Sequence, residues 1–144
     1  MNIFYYEEAR IFHLQTPGSS YIMYLVEPGY LLHLYWGRKI RTHDLRHLLD
    51  LKERPFSPMS SRVEGSLDLL PQEYPSYGSS DFRSPAFQIQ LENGSTIIDA
   101  TYRSHRIVPG KPALEGLPAA YVENQDEADT LEITLRDDLA GVQI

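Results

Sequence analysis

The sequence predicts an all-β protein built from stacked sheets, and three observations support this. Short aromatic and β-branched stretches, residues 2–6 and 11–16, open the chain with little helical periodicity. Two apolar runs flank a Pro-Gly pair within residues 19–37, as in a β-hairpin. Residues 129–138 alternate between apolar and polar side chains, which is the period of a strand.

Composition restricts the class of protein before any motif is considered. The 144 residues are about one domain's length, and 42% of them are apolar, which is enough for a core. A formal net charge of −7 disfavours a nucleic-acid partner, which needs a basic surface. The absence of cysteine excludes disulfides and cysteine-ligated zinc. No run of 18 apolar residues predicts a membrane helix, and the acidic start is unlike a signal peptide, so we expect a soluble, cytoplasmic protein without a membrane partner.

The apolar hairpin turns at Glu27-Pro28-Gly29-Tyr30, where proline second and glycine third predict a type II turn. Its arms carry apolar side chains on both faces, whereas a half-exposed strand would alternate. We therefore expect both faces to be covered. On the first arm these side chains are Tyr21, Met23 and Leu25 on one face and Ile22, Tyr24 and Val26 on the other.

Residues 42–52 carry the helical signal of the chain. Thr42 is a candidate N-cap, and Leu45, Leu48 and Leu49 would share one face, so one short helix is predicted there. Proline, serine and glycine dominate residues 53–66, which predicts a long loop.

The second half of the chain returns to strands after Pro85. Residues 86–91 alternate, Asn93-Gly94 favours a type I′ turn, and residues 96–108 form the expected return strand. Residues 109–118 predict a connector, and residues 129–138 the next strand, with Leu131, Ile133 and Leu135 on one side. Few residues remain to pair with that strand, so we expect the chain to be a piece of something longer.

The histidines offer one weak metal site. His43 and His47 are four residues apart on the predicted helix, but Asp44 stands where a zinc protease motif needs glutamate, and no third ligand is indicated. We therefore favour a solvated helix face and expect no metal or other cofactor. His13 and His33 fall within strand patterns, where a packed, hydrogen-bonded imidazole is usual.

Carboxylates and aromatic residues cluster in one irregular segment. Asp68, Glu73 and Asp81 could converge as a glycosidase pair does, but an aspartate two residues from Arg83 more often forms an ion pair that fixes a loop. The structural alternative is therefore favoured over a catalytic one. The aromatics of the same segment could form a sugar platform or anchor the loop to a sheet; they are Tyr74, Tyr77 and Phe82.

Several stretches together resemble the amino-terminal domain of bacterial α-galactosidases (melibiases) of glycoside hydrolase family 36. The most specific is "QEYPSYG-x-x-DFR-x-PA" at residues 72–86, followed by "GKP-x-L-x-GLPA" at residues 110–119. The stretches at 12–40, 66–89, 105–123 and 127–144 occur in the family's order and cover most of the chain. In this resemblance Asp81, Phe82 and Arg83 are a structural signature and not catalytic residues.

The resemblance implies a large antiparallel β-sandwich, of the supersandwich kind, that precedes a (β/α)₈ barrel. In the family the barrel holds both catalytic aspartates of a retaining hydrolase acting on melibiose and raffinose. Residues 1–144 would be an incomplete amino-terminal sandwich domain without the barrel. No catalytic residue, metal or organic cofactor is then expected here, and the full enzyme is expected to be a homotetramer.

The resemblance also implies that a loop of this domain reaches a neighbouring protomer's active site. The loop after the predicted helix is the candidate, with Glu53, Phe56 and Arg62 as the sugar-contacting acid, aromatic and arginine. An aromatic face with a charged pair suits a galactose ring. The alternative is that all three are ordinary exposed loop residues.

The sequence thus predicts a non-catalytic domain of an α-galactosidase that shapes the active site and the oligomer interface. Two alternatives remain open. One is a stand-alone carbohydrate-binding module of the same ancestry, and the other is a purely structural assembly domain.

Overall fold

Two antiparallel sheets contain the strands of the residues that the structure describes. The computed structural model describes residues 2–49, 51, 66–78, 81–119 and 121–144. Sheet one has the order β1-β2-β3-β4 and sheet two the order β5-β6-β7. The strands are β1 (Asn2–Tyr6), β2 (Ile11–Gln15), β3 (Ser19–Val26), β4 (Tyr30–Arg38), β5 (Thr101–Pro109), β6 (Asp129–Asp137) and β7 (Val142–Gln143). The predicted all-β sandwich class is confirmed, and none of the described helices is long and apolar enough to cross a membrane.

Sheet one is covered on both faces, as its apolar arms predict. Phe12 and Met23 point toward sheet two, where they pack with Leu131 and other side chains of β5 and β6. On the opposite face Ile11 and Ile22 form a second cluster beneath the segment that follows β4. Because successive side chains of a strand point to opposite faces, an unbroken apolar run requires this double cover.

The turn between β3 and β4 differs from the predicted type II turn. The Gly29 N–H donates to the Val26 carbonyl at 2.8 Å, so Pro28 occupies the third turn position, after a cis peptide bond. Gly29 has a φ of +143°, and a Cβ there would lie 3.2 Å from the Thr101 Cβ. Its carbonyl accepts the Tyr102 N–H at 2.8 Å, so this glycine lets the hairpin tip contact sheet two directly.

The helix predicted over residues 42–52 is reduced, in its described part, to one 3₁₀ turn, Arg46–Leu48. Leu45 precedes this turn as its N-cap, so Thr42 does not cap it. The Asp44 carboxylate accepts the Arg46 N–H at 3.3 Å, a local bond that competes with helix formation. Leu45 is buried under sheet one while Leu48 is 57% exposed, so the leucines do not share one face.

The hairpin predicted around Asn93-Gly94 forms only at its tip. The Gly94 N–H donates to the Leu91 carbonyl at 2.8 Å, and the Leu91 N–H to the Ser95 carbonyl at 2.9 Å. Gly94 has a φ of +83°, but Asn93 does not share a positive φ, so the turn is not type I′. Residues 86–100 contain no assigned strand, and the return strand begins at Thr101 instead of residue 96.

Both arms of this hairpin bond to the segment around residues 75–77 instead of to each other. The Ala86 N–H donates to the Pro75 carbonyl at 3.0 Å, and the Ile98 N–H to the Tyr77 carbonyl at 3.3 Å. The local alternation predicts two extended arms that pair with each other. In the structure, backbone groups of both arms bond to residues 75–77 instead.

Candidate functional site

The candidate site is built around residues 72–86, here called the signature segment, of which 79 and 80 lie outside the described residues. Its start is attached to the edge of sheet one at β4. The Glu73 N–H donates to the Leu31 carbonyl at 2.9 Å, and the His33 N–H to the Pro71 carbonyl at 2.8 Å. Gln72 lies opposite Leu32 in an antiparallel bridge. The segment therefore begins as a short added strand, and this fixes where its side chains point.

Asp81 and Arg83 form a buried bidentate ion pair. Arg83 Nε donates to Asp81 Oδ1 at 2.9 Å, and Nη2 donates to Oδ2 at 2.6 Å. Asp81 also accepts the Arg83 backbone N–H at 3.1 Å and the Gln72 side-chain amide at 2.9 Å. The Asp81 side chain is only 2% exposed, so the carboxylate is shielded from water, whereas the Arg83 side chain is 48% exposed. We call this cluster the Asp81–Arg83 clamp.

The clamp also holds a neighbouring 3₁₀ turn, Leu67–Leu69. Arg83 Nη2 donates to the Leu67 carbonyl at 3.0 Å and to the Leu70 carbonyl at 2.9 Å. Leu67 and Leu70 are 1% and 2% exposed, and both pack against Leu32 of β4. One guanidinium thus neutralises Asp81 and positions two core leucines over sheet one.

The pKa of Asp81 reflects these contacts. Burial by itself raises it, but the side-chain and backbone hydrogen bonds from Arg83, the arginine's charge and the Gln72 bond outweigh burial. The net result is a pKa below the usual range, so Asp81 is an ionised carboxylate at neutral pH. It has neither the raised pKa of a general acid nor an open face for a nucleophile.

Glu73 has separate partners, which lie on the face of sheet one opposite to the Asp81–Arg83 clamp. The Tyr21 hydroxyl donates to Glu73 Oε2 at 2.5 Å, and His33 Nδ1 lies 3.0 Å from Oε1. The Tyr21 and His33 rings meet edge to face at 5.1 Å. Burial, followed by the bond to Glu73 and its charge, raises the pKa of Tyr21. The tyrosine therefore stays protonated and acts as a donor.

The three carboxylates considered as a catalytic set do not all share one site. The charges of Asp81 and Asp68 both raise the pKa of Arg83, whereas Glu73 points away from Asp81. Gln72, which binds Asp81, and Glu73 are consecutive in an extended segment, so their side chains point to opposite sides. Asp68 accepts a short hydrogen bond from the Ser66 hydroxyl. The partners of Glu73 lie on β3 and β4, 52 and 40 residues away in sequence, and no local pattern indicates them.

The aromatic residues of the signature segment form two pairs and no single flat platform. Tyr74 stacks on Phe87 with ring centroids 5.6 Å apart and planes 18° apart. Tyr77 and Phe82 meet edge to face at 5.5 Å, and Phe82 is 64% exposed. Tyr74 therefore contacts the following arm, while Phe82 presents its ring to solvent.

The histidines that the sequence singles out have packing partners. His43 stacks on Tyr6 with centroids 3.5 Å apart and planes 5° apart. His13 is fully buried, and its Nε2 lies 2.9 Å from the Ser20 hydroxyl and 3.2 Å from the Gln15 amide. Its pKa is lowered, first by burial and then by two basic neighbours. Among the described residues no three histidine, aspartate or glutamate side chains group as a metal site.

The loop residues Glu53, Phe56 and Arg62, predicted to contact sugar, lie outside the described residues. The structure describes residue 51 before this loop and continues its description at Ser66. The sugar-contact prediction therefore remains a prediction.

Comparison with known proteins identifies the family. The family model for the "Glycosyl hydrolase family 36 N-terminal domain" matches residues 29–144. The α-galactosidase AgaA of Geobacillus stearothermophilus is 48% identical over the whole chain, which covers 20% of that protein. The bifunctional α-galactosidase/sucrose kinase AgaSK of Mediterraneibacter gnavus is 40% identical over the whole chain, which covers 16% of it.

Solved structures agree with the sequence matches. The chain superposes on the G. stearothermophilus α-galactosidase AgaB with a TM-score of 0.87 and 51% identity, covering 99% of this chain and 20% of that one. The galactosidase domain of AgaSK gives a TM-score of 0.90 at 40% identity, covering 99% and 20%. The chain thus spans about a fifth of the length of the relatives it matches. It belongs to the amino-terminal domain family of glycosyl hydrolase family 36.

Proposed function

We propose that this chain is the non-catalytic amino-terminal part of an enzyme that hydrolyses terminal α-D-galactosyl residues. The observation that carries the proposal is the family match over residues 29–144, since the matched domain is defined as amino-terminal in a hydrolase family. The AgaA and AgaSK relatives are α-galactosidases, and AgaA variants have been crystallised with raffinose and with stachyose. By analogy with these relatives we propose raffinose-type α-galactosides as substrates of the full-length enzyme, together with melibiose, which the sequence resemblance implies.

The described carboxylates support a scaffolding role. Asp81 is buried in an ion pair, and Glu73 bonds to Tyr21 and His33, so each is committed to holding the signature segment. A retaining glycosidase needs two carboxyl groups about 5–5.5 Å apart that face a common sugar. Catalysis would then depend on the part of the full-length enzyme that lies outside these 144 residues.

The domain would help to shape the active site and the oligomer interface of a cytoplasmic homotetramer. In this proposal the loop that carries Glu53, Phe56 and Arg62 contacts galactoside in a neighbouring protomer. The stacked His43 and Tyr6 and the buried Leu45 support this role, because they hold the segment that enters this loop firmly on sheet one.

A chimera tests the proposal. This chain would replace the aligned segment of the G. stearothermophilus AgaA, and hydrolysis of a chromogenic α-galactoside would be compared with that of the chain alone. We expect a turnover number within tenfold of AgaA for the chimera, none for the chain, and a tetramer by light scattering. Turnover by the chain that persists through further purification, or a folded chimera without activity, would contradict the proposal.

Variants of the loop separate sugar contact from scaffolding. Phe56→Ala and Arg62→Ala in the chimera should raise KM for galactosides while the oligomeric state is unchanged. Arg106→Ala, at a surface pair on β5, is the matched control and should leave KM unchanged. Unaltered kinetics in both loop variants would remove the contact role and leave a scaffold.

A stand-alone carbohydrate-binding module is the alternative that one observation favours. Trp36, Phe82 and Tyr121 are 77%, 64% and 86% exposed, and exposed rings are what sugar-binding surfaces use. Titration calorimetry with melibiose and raffinose on the isolated chain distinguishes the two functions. Millimolar or tighter binding by a monomer would favour the module over the enzyme part, and over a purely structural assembly domain.

A further inference from the structure

The segment that follows β4, residues 39–49, is bound to sheet one at Ile40. The Ile40 N–H donates to the Ser20 hydroxyl at 3.1 Å. The Ile40 carbonyl lies 3.4 Å from the Gln15 amide nitrogen and 3.5 Å from the Ser20 hydroxyl. Both backbone groups of one residue are thus held by side chains of β2 and β3. The position of Ile40 therefore depends on how these two side chains are oriented.

His13 contacts both of these side chains. Its Nε2 lies 2.9 Å from the Ser20 hydroxyl and 3.2 Å from the Gln15 amide nitrogen. The side chain is fully buried, and its Nδ1 has no hydrogen-bond partner among the described residues. Because His13, Gln15, Ser20 and Ile40 form one connected group, we call them the Ile40 anchor.

The partners of the Gln15 amide determine which nitrogen of the His13 ring carries the hydrogen. The amide nitrogen donates to the Ile40 carbonyl, which can only accept, so this nitrogen is the part of Gln15 that faces the anchor. It then also donates to His13 Nε2. Nε2 is therefore the acceptor of a neutral ring, and Nδ1 carries the hydrogen. The anchor as observed requires an uncharged histidine.

A proton on Nε2 is incompatible with this set of hydrogen bonds. Nε2 becomes a donor, and it then faces the donor nitrogen of Gln15. The Ser20 hydroxyl can accept from the new N–H, but Gln15 has to turn away. The Ile40 carbonyl loses its Gln15 donor when it does so. One protonation thus removes part of the attachment of the segment.

The charges around His13 act in the same direction. Its cross-strand neighbours, Phe4 of β1 and Ile22 of β3, carry no charge. The charged groups that act on it, Lys39 and His43, are both basic and lie on the segment itself; together with burial, which has the largest effect, they lower the pKa of His13. Because coupling is reciprocal, a bound segment that disfavours protonation is itself disfavoured by protonation. Departure of the segment would remove the repulsion and admit water to the imidazolium.

We propose that protonation of His13 breaks the Ile40 anchor and releases residues 39–49 from sheet one, so that this histidine is a pH-dependent switch of that segment. The neutral ring completes the anchor at neutral pH. The bound segment loses stability progressively as pH falls below about 6.5, the usual pKa of histidine. The switch lies wholly within this chain and is independent of the α-galactosidase function.

Amide hydrogen exchange, followed by mass spectrometry, tests the switch in the 144-residue chain and in the AgaA chimera. Each rate is divided by that of an unstructured peptide at the same pH, which removes the direct effect of acid on exchange. Between pH 7 and pH 4.5 we expect residues 39–49 to exchange about tenfold faster or more on this scale, while β6 of sheet two keeps its protection. An equal change in both regions, or no change in the segment, would overturn the switch.

Two histidine variants identify the group that titrates. His13→Gln keeps a hydrogen-bonding side chain that cannot be protonated, so the acceleration of residues 39–49 should fall below about twofold. His43→Phe is the matched control, because it keeps a flat ring against Tyr6 but removes the titratable group of the segment. It should retain the acceleration. Acceleration that persists in His13→Gln, or that disappears in His43→Phe, would overturn the assignment to His13.

The nitrogen chemical shifts of the His13 ring provide a test that needs no substitution. In the isotope-labelled 144-residue chain at pH 7, NMR should find the hydrogen on Nδ1 and none on Nε2. As pH falls, protonation of Nε2 should follow the same titration curve as the exchange of residues 39–49. A hydrogen on Nε2 at pH 7, or a ring that titrates without any effect on the segment, would overturn the proposal even where His13→Gln fails to fold.

Discussion

Removing Arg83 from the Asp81–Arg83 clamp should cost more stability than removing the charge of Asp81. Arg83→Met keeps the aliphatic length of the side chain but strips Asp81 of its counter-ion and the Leu67 and Leu70 carbonyls of their donor. Asp81→Asn keeps the shape and a hydrogen-bonding group. The two variants therefore separate a stranded buried charge from a lost ion pair.

The exposures of the two side chains determine the expected magnitudes. The Asp81 side chain is 2% exposed, so Arg83→Met leaves a carboxylate that water cannot reach, and we expect a loss of about 3–4 kcal/mol. The Arg83 side chain is 48% exposed, so after Asp81→Asn water solvates the guanidinium, and we expect about 1–2 kcal/mol. The inequality between the variants is the central expectation.

The pH dependence of this difference follows from the lowered pKa of Asp81. A carboxyl group whose folded pKa is lowered contributes stability above its unfolded pKa, about 3.9, and that stability is lost as pH falls through the folded pKa. Arg83→Met removes the main cause of the lowering. In the variant, burial without the counter-ion raises the pKa of Asp81, so this carboxyl group protonates at a higher pH than in the parent chain. The gap between the parent chain and this variant should therefore be largest near pH 7 and shrink progressively as pH falls to about 4 and below.

Urea unfolding of the 144-residue chain, followed by circular dichroism at several pH values, measures these effects. Arg106→Met is the matched control, because Arg106 and Glu132 form a surface pair that is 70% and 41% exposed, and it should cost less than about 1 kcal/mol. A loss with Arg83→Met no larger than with Arg106→Met, or smaller than with Asp81→Asn, would refute the assignment of the clamp as a buried structural pair.

Three further outcomes follow from the geometry. Glu73→Gln should lower the pKa of Tyr21 toward 10, its unperturbed value, because it removes an adjacent charge and hydrogen-bond acceptor. NMR titration of the tyrosine ring measures this pKa, and an unchanged value would contradict the role of the contact. Because burial lowers the pKa of His13 in the folded state below 6.5, the unfolded state binds a proton first, and the free energy of unfolding should fall as pH drops from 6.5. This pH dependence should be weaker in His13→Gln, and an unchanged dependence would contradict the assignment. Gly78→Ala should cost about 1–3 kcal/mol in urea unfolding, because φ is +103° and the new Cβ would lie 2.9 Å from an isoleucine side chain. Gly94→Ala, with φ of +83° but open space, should cost less, and a reversed order would refute the steric part of the reasoning.

Strands whose residues alternate or run apolar on both faces were predictable from the sequence. The alternate residues Leu131, Ile133 and Leu135 of β6 contact the core clusters as predicted, and β3 is buried on both sides as its unbroken apolar run predicts. In these strands the burial of each side chain depends on a period of two, which is a property of neighbouring residues. The Asp81–Arg83 ion pair could also be predicted from the sequence, because the two residues are only two positions apart.

Two segments whose groups bind or pack elsewhere than their local spacing implies were predicted wrongly. Residues 42–49 have helical spacing, yet Asp44 bonds to a nearby backbone N–H and Leu45 packs under sheet one. Residues 86–100 have hairpin spacing, yet both arms bond to the signature segment. Tertiary contacts override a weak local preference in both segments.

The amino-acid order was enough to predict the all-β class, the family to which the chain belongs, and the strands that bury their side chains by local period. The tertiary structure decided which partner each polar group of the signature segment has. Glu73 binds Tyr21 across 52 residues, and Arg83 reaches the carbonyls of a turn 13 and 16 residues earlier. Local residue order sets the period of a strand, but the pairing of distant polar groups depends on how the folded sheets bring them together.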